Sequence, residues 1–446
     1  MLGAGLGFLG TSLPEFFAMR ARASAHASLT RSFGRARSCI VLFSWGGMSH
    51  LETWDLKPDA PAEFRGEFRP IATATPGIHI GEHMPLLARQ TNRLAIVRSA
   101  HHQEAGHRNA AYWNLTGHEP LRPGNDDTIL PSRRDWPSLG SMVSRFRHAR
   151  AGFPGCVALP YPLADRGLLN GQFGGFLGMH HDPFIIRPAA GRPYAGVSPS
   201  SEAAELRLPD GMTGQRVRDR LGLAEALASA TSPTPGFDHY RQMAANLLLS
   251  PGVSAAFNLD REPRHLRDRY GDHVCGQSAL MARRLTEAGV PIVTVYASVG
   301  DLNGSAGDNW DTHGGNFIRL KDRLLPPLEQ ASAALLDDLA ERGRLDETLV
   351  VWLTEFGRTP RINGGAGRDH YPDCYSVAFA GGGIRGGQIY GRSDRIGAKP
   401  ADRPCGPQDL HATIFHALGI PLDSQVTDAL GRHMGLTDGS PLPLFG

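Results

Sequence analysis

The strongest constraint on how this chain can fold is a set of short, unbroken apolar runs alternating with helical patterns. Cys39–Ser44 runs straight into Trp45-Gly46-Gly47, and Leu94–Arg98 leads into a polar loop that ends at Gly106. Val290–Ala297, Glu347–Thr354 (ETLVVWLT) and Tyr375–Ala380 are three more runs of this kind. Apolar stretches of four to eight residues bounded by turn residues read as strands buried on both faces. Between them, His107–Leu115 ends at Gly117 and Val274–Ala288 at Gly289, each as a helix closed by glycine. Asn316–Arg342 reads as a long helix and Leu410–Leu418 as a closing one. Strands and helices in alternation imply an α/β fold: a mostly parallel central sheet with helices on both faces.

Ligands of open α/β sheets gather beyond the carboxyl ends of the strands, so the loops that follow the strands are where chemistry is expected. The run at 39–44 is followed by His50, Glu52 and Asp55, and the run at 94–98 by His101, His102 and His107. Asn309-Trp310-Asp311-Thr312-His313 follows the third, and Glu355, Arg358, Asp369 and His370 follow the fourth. Imidazoles and carboxylates together suit Zn²⁺ or Mn²⁺, whereas an all-oxygen set suits Ca²⁺ or Mg²⁺. The expected ligands are His50, Asp311, His313, Glu355, Asp369 and His370, enough for one divalent ion or two. Arg358 is the expected grip on a tetrahedral anion. Such a set points to metal-assisted hydrolysis of a sulfate or phosphate ester.

Other classes fit less well. Lys plus Arg is 46 against 44 for Asp plus Glu, which argues against binding nucleic acid through many phosphates. Gly381-Gly382-Gly383-Ile384-Arg385-Gly386 matches a dinucleotide fingerprint formally, but Gln388-Ile389-Tyr390 after it reads as strand or turn rather than helix. Five scattered cysteines without a C-x-x-C pair read as mostly free, buried thiols. Residues 1–34 look like an export signal: an apolar, Gly-rich stretch too short to span a bilayer, then a basic Ala/Ser-rich stretch. The missing basic start suggests a truncated, twin-arginine type of signal and a periplasmic or extracellular address. Residues 35–446 are expected to form one domain, with excursions at about 118–270, a stretch rich in Gly, Pro and Arg.

The segments WGGMSHLETWDLKP (45–58), FRGEFRPI (64–71), NWDTH (309–313), LDETLVVWLTEFGRTPRIN (345–363), GRDHYP (367–372) and AGGGIRGGQIYGRSD (380–394) resemble a large bacterial family, domain of unknown function 1501. That family is sulfatase-like and belongs to the alkaline phosphatase superfamily, and the resemblance extends from about residue 35 to 440. It implies an alkaline phosphatase/sulfatase-like fold and export. HRNAAYWNLTG (107–117) resembles the superfamily segment that opens with the nucleophile, so His107 stands where a Cys or Ser is usual. His107 is therefore expected as general acid or base, or as a ligand. Glu355 stands where the superfamily has a metal-binding Asp, and Asp311 with His313 resembles its Asp/His metal pair. The resemblance implies a sulfated or phosphorylated small molecule or polysaccharide as substrate. The alternative is a non-catalytic module that keeps the scaffold and binds glycans or a cell-envelope partner.

Overall fold

In the computed structural model, which describes residues 32–121, 129–165, 167–186, 211–228, 245, 249–297, 309–428 and 430–446, the apolar runs join one eight-stranded sheet. Its strands are β1 (Ser38–Phe43), β2 (Leu94–Ala100), β3 (Val157–Leu159), β4 (Phe184–Ile185), β5 (Ile292–Tyr296), β6 (Thr348–Leu353), β7 (Tyr375–Ala380) and β8 (Gln388–Tyr390). They lie in the order β8-β2-β7-β6-β1-β5-β3-β4. β1 is central and parallel to both neighbours, with Ile40 beside Val293 of β5 and Val350 of β6. Residues 1–31 of the segment expected to be an export signal lie outside the described residues.

The period-two pleat divides each central strand between two cores. Ile40, Leu42, Val293, Val295, Val350 and Trp352 face one layer, while Cys39, Val41, Phe43, Val351 and Leu353 face the other. Both faces are apolar and need covering. Five helices do most of this: α1 (His107–Thr116), α2 (Leu139–Phe146), α3 (Val274–Ala288), α4 (Leu325–Glu341) and α5 (Pro407–Ala417). α3 and α4 pack on the first face, and α1, α2 and α5 on the second.

Three features differ from expectation, each with a local cause. The long helix at 316–342 is interrupted by a π turn at Leu320–Leu324, because Pro326 and Pro327 remove two amide donors at the start of α4. The Gly- and Pro-rich stretch at 118–270, expected as excursions, also supplies α2 and the edge strands β3 and β4. β7 runs antiparallel to β2 and β6, whereas the other strand pairs in this sheet are parallel. Because β7 is reversed, the residues that precede it, Asp369 and His370, arrive at the rim where β1, β2, β5 and β6 end. No helix among the described residues is long and apolar enough to cross a membrane.

Candidate metal centre

The rim is organised by the turn after β1. Gly46 and Gly47 adopt φ of 114° and 82°, a region open to glycine. A Cβ on Gly46 would lie 2.3 Å from the amide nitrogen of Asp311 and 2.6 Å from that of Trp310. This close approach lets the Trp310 amide donate to the Trp45 carbonyl at 2.9 Å. The Trp310 indole N–H is also tied down, donating to the Ala297 carbonyl at 2.9 Å. Asp311 is thereby held next to His107, the first residue of α1. Residues 357–358 and 370–371 form a small antiparallel ladder with Arg358 opposite His370, which brings His370 to the same point.

Three imidazoles converge there, each held by its far nitrogen. His107 Nδ1 bonds Glu355 Oε1 at 2.9 Å, His313 Nδ1 bonds Asp369 Oδ1 at 2.6 Å, and His370 Nδ1 bonds the Ala105 carbonyl at 2.9 Å. Carbonyls and ionised carboxylates only accept, so each Nδ1 carries the hydrogen and each Nε2 faces the middle. His313 Nε2 and His370 Nε2 are 3.0 Å apart, and each is 3.2 Å from Asp311 Oδ1. His107 Nε2 lies 3.4 Å from Asp311 Oδ2. Ligand atoms of His107, Asp311 and His370 all fall within 4.8 Å of one another.

Burial opposes the charge on Asp311, yet its contacts with His107 and His370 and the Arg358 guanidinium prevail and hold its carboxyl far below the usual range. Burial likewise opposes a charged His107, but its bonds to Asp311 and Glu355 prevail and carry it up to about 9. For His370 burial prevails and pushes the imidazole down. The ring of His107 is flanked by Trp45 and Phe356, with centroids 4.9 and 5.0 Å away.

The remaining expected residues surround this core or stand apart from it. Glu355 is fully buried behind His107, where its Oε1 also accepts the Gly46 amide at 2.7 Å. Asp369 is half-buried and braces His313 from outside; its own second partner is Asn363 Nδ2 at 3.1 Å. Arg358, expected to grip an anion, is buried, and its donors are spent within the fold. They reach the carbonyls of Gly46, of Gly47 at 3.0 Å and of Arg368 at 3.1 Å, and Asp311 Oδ1 at 2.6 Å. Arg358 thus positions Asp311. His50 is not among the converging imidazoles: its Nε2 donates to the Gly397 carbonyl at 2.8 Å, and its Nδ1 lies against Gly357. The acids near it are also committed, Glu52 to Arg368 at 2.7 Å and Asp55 to Lys57 at 2.9 Å.

Sequence reasoning missed the support beneath Glu355. Its carbonyl accepts His102 Nε2–H at 2.6 Å and Asn114 Nδ2–H at 2.8 Å. Asn114 stands seven residues after His107 on α1, two turns along the same face, so helical spacing was a usable signal. His102 is a neutral structural imidazole whose burial takes it down to about 4.

All of these residues lie within positions 36–443, over which the chain matches the model of a family described as a protein of unknown function, DUF1501. The chain belongs to that family. No curated protein matches it. Among solved structures, this DUF1501 chain is similar to a protein in the alkaline phosphatase superfamily from Vibrio parahaemolyticus, at 9% identity and TM-score 0.38, covering 87% of this chain and 68% of that one. It is also similar to the PsFucS1 sulfatase from Pseudoalteromonas sp., at 13% identity and TM-score 0.38, covering 90% and 71%. A third is the phosphonate monoester hydrolase SpPMH from Silicibacter pomeroyi, at 12% identity and TM-score 0.34, covering 91% and 76%. Overlays this loose carry no chemistry across, so the chemistry has to come from the site itself.

Proposed function

We propose that this DUF1501 protein is an exported, metal-dependent hydrolase of sulfate or phosphate esters, built as one domain over residues 35–446. The observation that carries this reading is the convergence of three Nδ1-tethered imidazoles on Asp311. In their neutral forms, with hydrogens on Nδ1 and Nε2 atoms 3.0 Å apart, His313 and His370 set lone pair against lone pair. A shared cation relieves that opposition, and tethering the far nitrogen is how ligating histidines are oriented.

The donor set of nitrogens and one carboxylate fits Zn²⁺ or Mn²⁺ better than Ca²⁺ or Mg²⁺. His107, Asp311 and His370 would hold the ion, with His313 beside them. When bound, the ion supplies Lewis acidity that polarises the ester oxygen and activates water. Glu355 and Asp369 orient the imidazoles of His107 and His313, and Arg358 fixes the carboxylate of Asp311. Trp45 and Phe356 shield the His107 ring from water on their sides. A ring engaged at both nitrogens is a poor nucleophile, so His107 holds the ion or a proton rather than attacking the ester.

That same engagement of His107 favours the second reading, a glycan-binding module without turnover. Elemental analysis after mild purification, with assays of aryl sulfates and phosphates in Zn²⁺, Mn²⁺, Mg²⁺ and Ca²⁺, separates the two. The expected result is roughly one Zn²⁺ or Mn²⁺ per chain with hydrolysis, both lost in a folded Asp311→Ala variant. A wild-type protein free of metal and without affinity for either ion would end the hydrolase reading, and bound metal without turnover would leave the binding module. Recovery of a processed N-terminus from the periplasm tests export.

A further inference from the structure

A cavity of about 600 Å³ lies between residues 56–59, downstream of β1, and the loop after β8. Leu56, Pro58 and Ala401 give it apolar walls, and Lys57, Arg392 and Arg395 give it positive charge. The two arginines differ from those deeper in the fold. Arg358 and Arg368 are buried with their donors spent, whereas Arg392 and Arg395 are exposed and have no partner among the described residues.

The carboxylates nearby are mostly committed. Asp394 turns inward and accepts the amides of Ile396, Ala398 and Lys399 at 3.0, 2.8 and 3.1 Å, which closes the loop and leaves the arginines projecting. Asp55 lies beneath, shared between Lys57 at 2.9 Å and Arg98 at 3.5 Å. Asp59 is the outward carboxylate of the wall.

The cavity is coupled to the centre through His50. Its Nε2 holds the loop at the Gly397 carbonyl, 2.8 Å away, and its Nδ1 abuts Gly357, the neighbour of the arginine that fixes Asp311. An apolar wall edged by unspent guanidiniums suits the C–H face of a sugar ring that carries an anionic substituent, since guanidinium pairs with sulfate or carboxylate through two parallel bonds. We propose that this cavity is a subsite for a second acidic group of a glycan chain, on a sugar near the one whose ester enters the centre. The subsite rests on the hydrolase reading for its meaning, and its binding is measurable separately.

The test is calorimetric titration of the full chain with three tetrasaccharides of equal length: sulfated, unsulfated but uronate-containing, and neutral. An acidic chain should bind at least tenfold more tightly than the neutral one. Binding by the sulfated chain alone would assign sulfate, and binding by the uronate chain alone would assign carboxylate. The Arg392→Gln/Arg395→Gln double variant should lose tenfold or more, and Ala401→Trp, which fills the space and keeps every charge, should lose as much. Unchanged affinity in both variants, equal affinity for the neutral chain, or a matching loss in the distant Arg432→Gln variant would overturn the subsite. The titration is repeated in Asp311→Asn, which should keep the acidic-chain affinity; a tenfold loss there would place the binding in the centre and overturn the subsite. Acidic-chain binding by a wild-type protein that cleaves no ester would sink the hydrolase reading and leave the subsite standing; aryl-ester cleavage with indifferent variants would do the reverse.

Discussion

Glu329 is a carboxylate used as a cap at a distance. It is 6% exposed, and its Oε1 accepts the amides of Leu86 and Leu87 at the start of the short helix Pro85–Ala88. Burial outweighs those amides and nearby Arg89, and lifts the carboxyl from 4.5 to about 7. The folded state therefore holds this proton more tightly than the unfolded chain does. The stability it contributes is complete below about 4.5 and is lost as the pH rises through about 7. Above that, the buried charge costs on the order of 3–4 kcal/mol, at about 1.4 kcal/mol per unit. Glu329→Gln keeps an acceptor for both amides and removes the charge. Its urea midpoint should exceed that of the wild type at pH 8, and the two should converge as the pH falls toward 4.5. An offset of the same size at both ends would mean that the gain has nothing to do with ionisation.

At the scale of elements, the turn after β1 decides whether the centre assembles. A Cβ on Gly46 meets the backbone of Trp310 and Asp311, which cannot rotate away as a side chain could, so one of the two loops must shift. Gly46→Ala should cost about 2–4 kcal/mol from strain and crowding together, and, on the proposed metal-dependent reading, its metal content should fall. Gly343→Ala is the comparison: φ is 64°, but nothing lies within 4 Å, so it pays for backbone conformation alone. Equal urea midpoints and equal metal content in the two variants would remove Gly46 from its organising place. The same elements indicate what the sequence could reveal. Strand runs such as Cys39–Ser44 and glycine stops such as Gly117 and Gly289 are local signals, and they appear where expected. The direction of β7 is not local: the same YSVAFA pattern suits either orientation, and pairing with β2 and β6 decides it. The site divides in the same way. Residue types announced a rim rich in imidazole and carboxylate, but not which members are consumed by burial. Arg358 and Glu52 look like free functional groups in the sequence, and only their neighbours commit them to Asp311, backbone carbonyls and Arg368.

Across the whole molecule, the five cysteines report on how the two core layers depend on each other. All five are buried and unpaired. Cys39 lies in β1 facing the layer of α1 and α5, whereas Cys275 lies on α3 in the opposite layer. Burial pushes the thiols of Cys156, Cys275 and Cys405 up to about 12, and those of Cys39 and Cys374 further still. A thiol that is neither ionised nor reachable does not attack a disulfide reagent, because the thiolate is the reacting species. At pH 8 the native protein should therefore release almost no chromophore from an aryl disulfide reagent, and the urea-unfolded chain should release five equivalents. Both layers are built on the same strands, with Ile40 on one face and Cys39 on the other, so neither can be stripped without breaking the sheet. Labelling in intermediate urea should expose Cys39 and Cys275 with one common rate, read by mass mapping of the modified peptides. Earlier labelling of Cys275 would mean that the α3–α4 layer peels away by itself and that the sheet is not the unit of cooperativity.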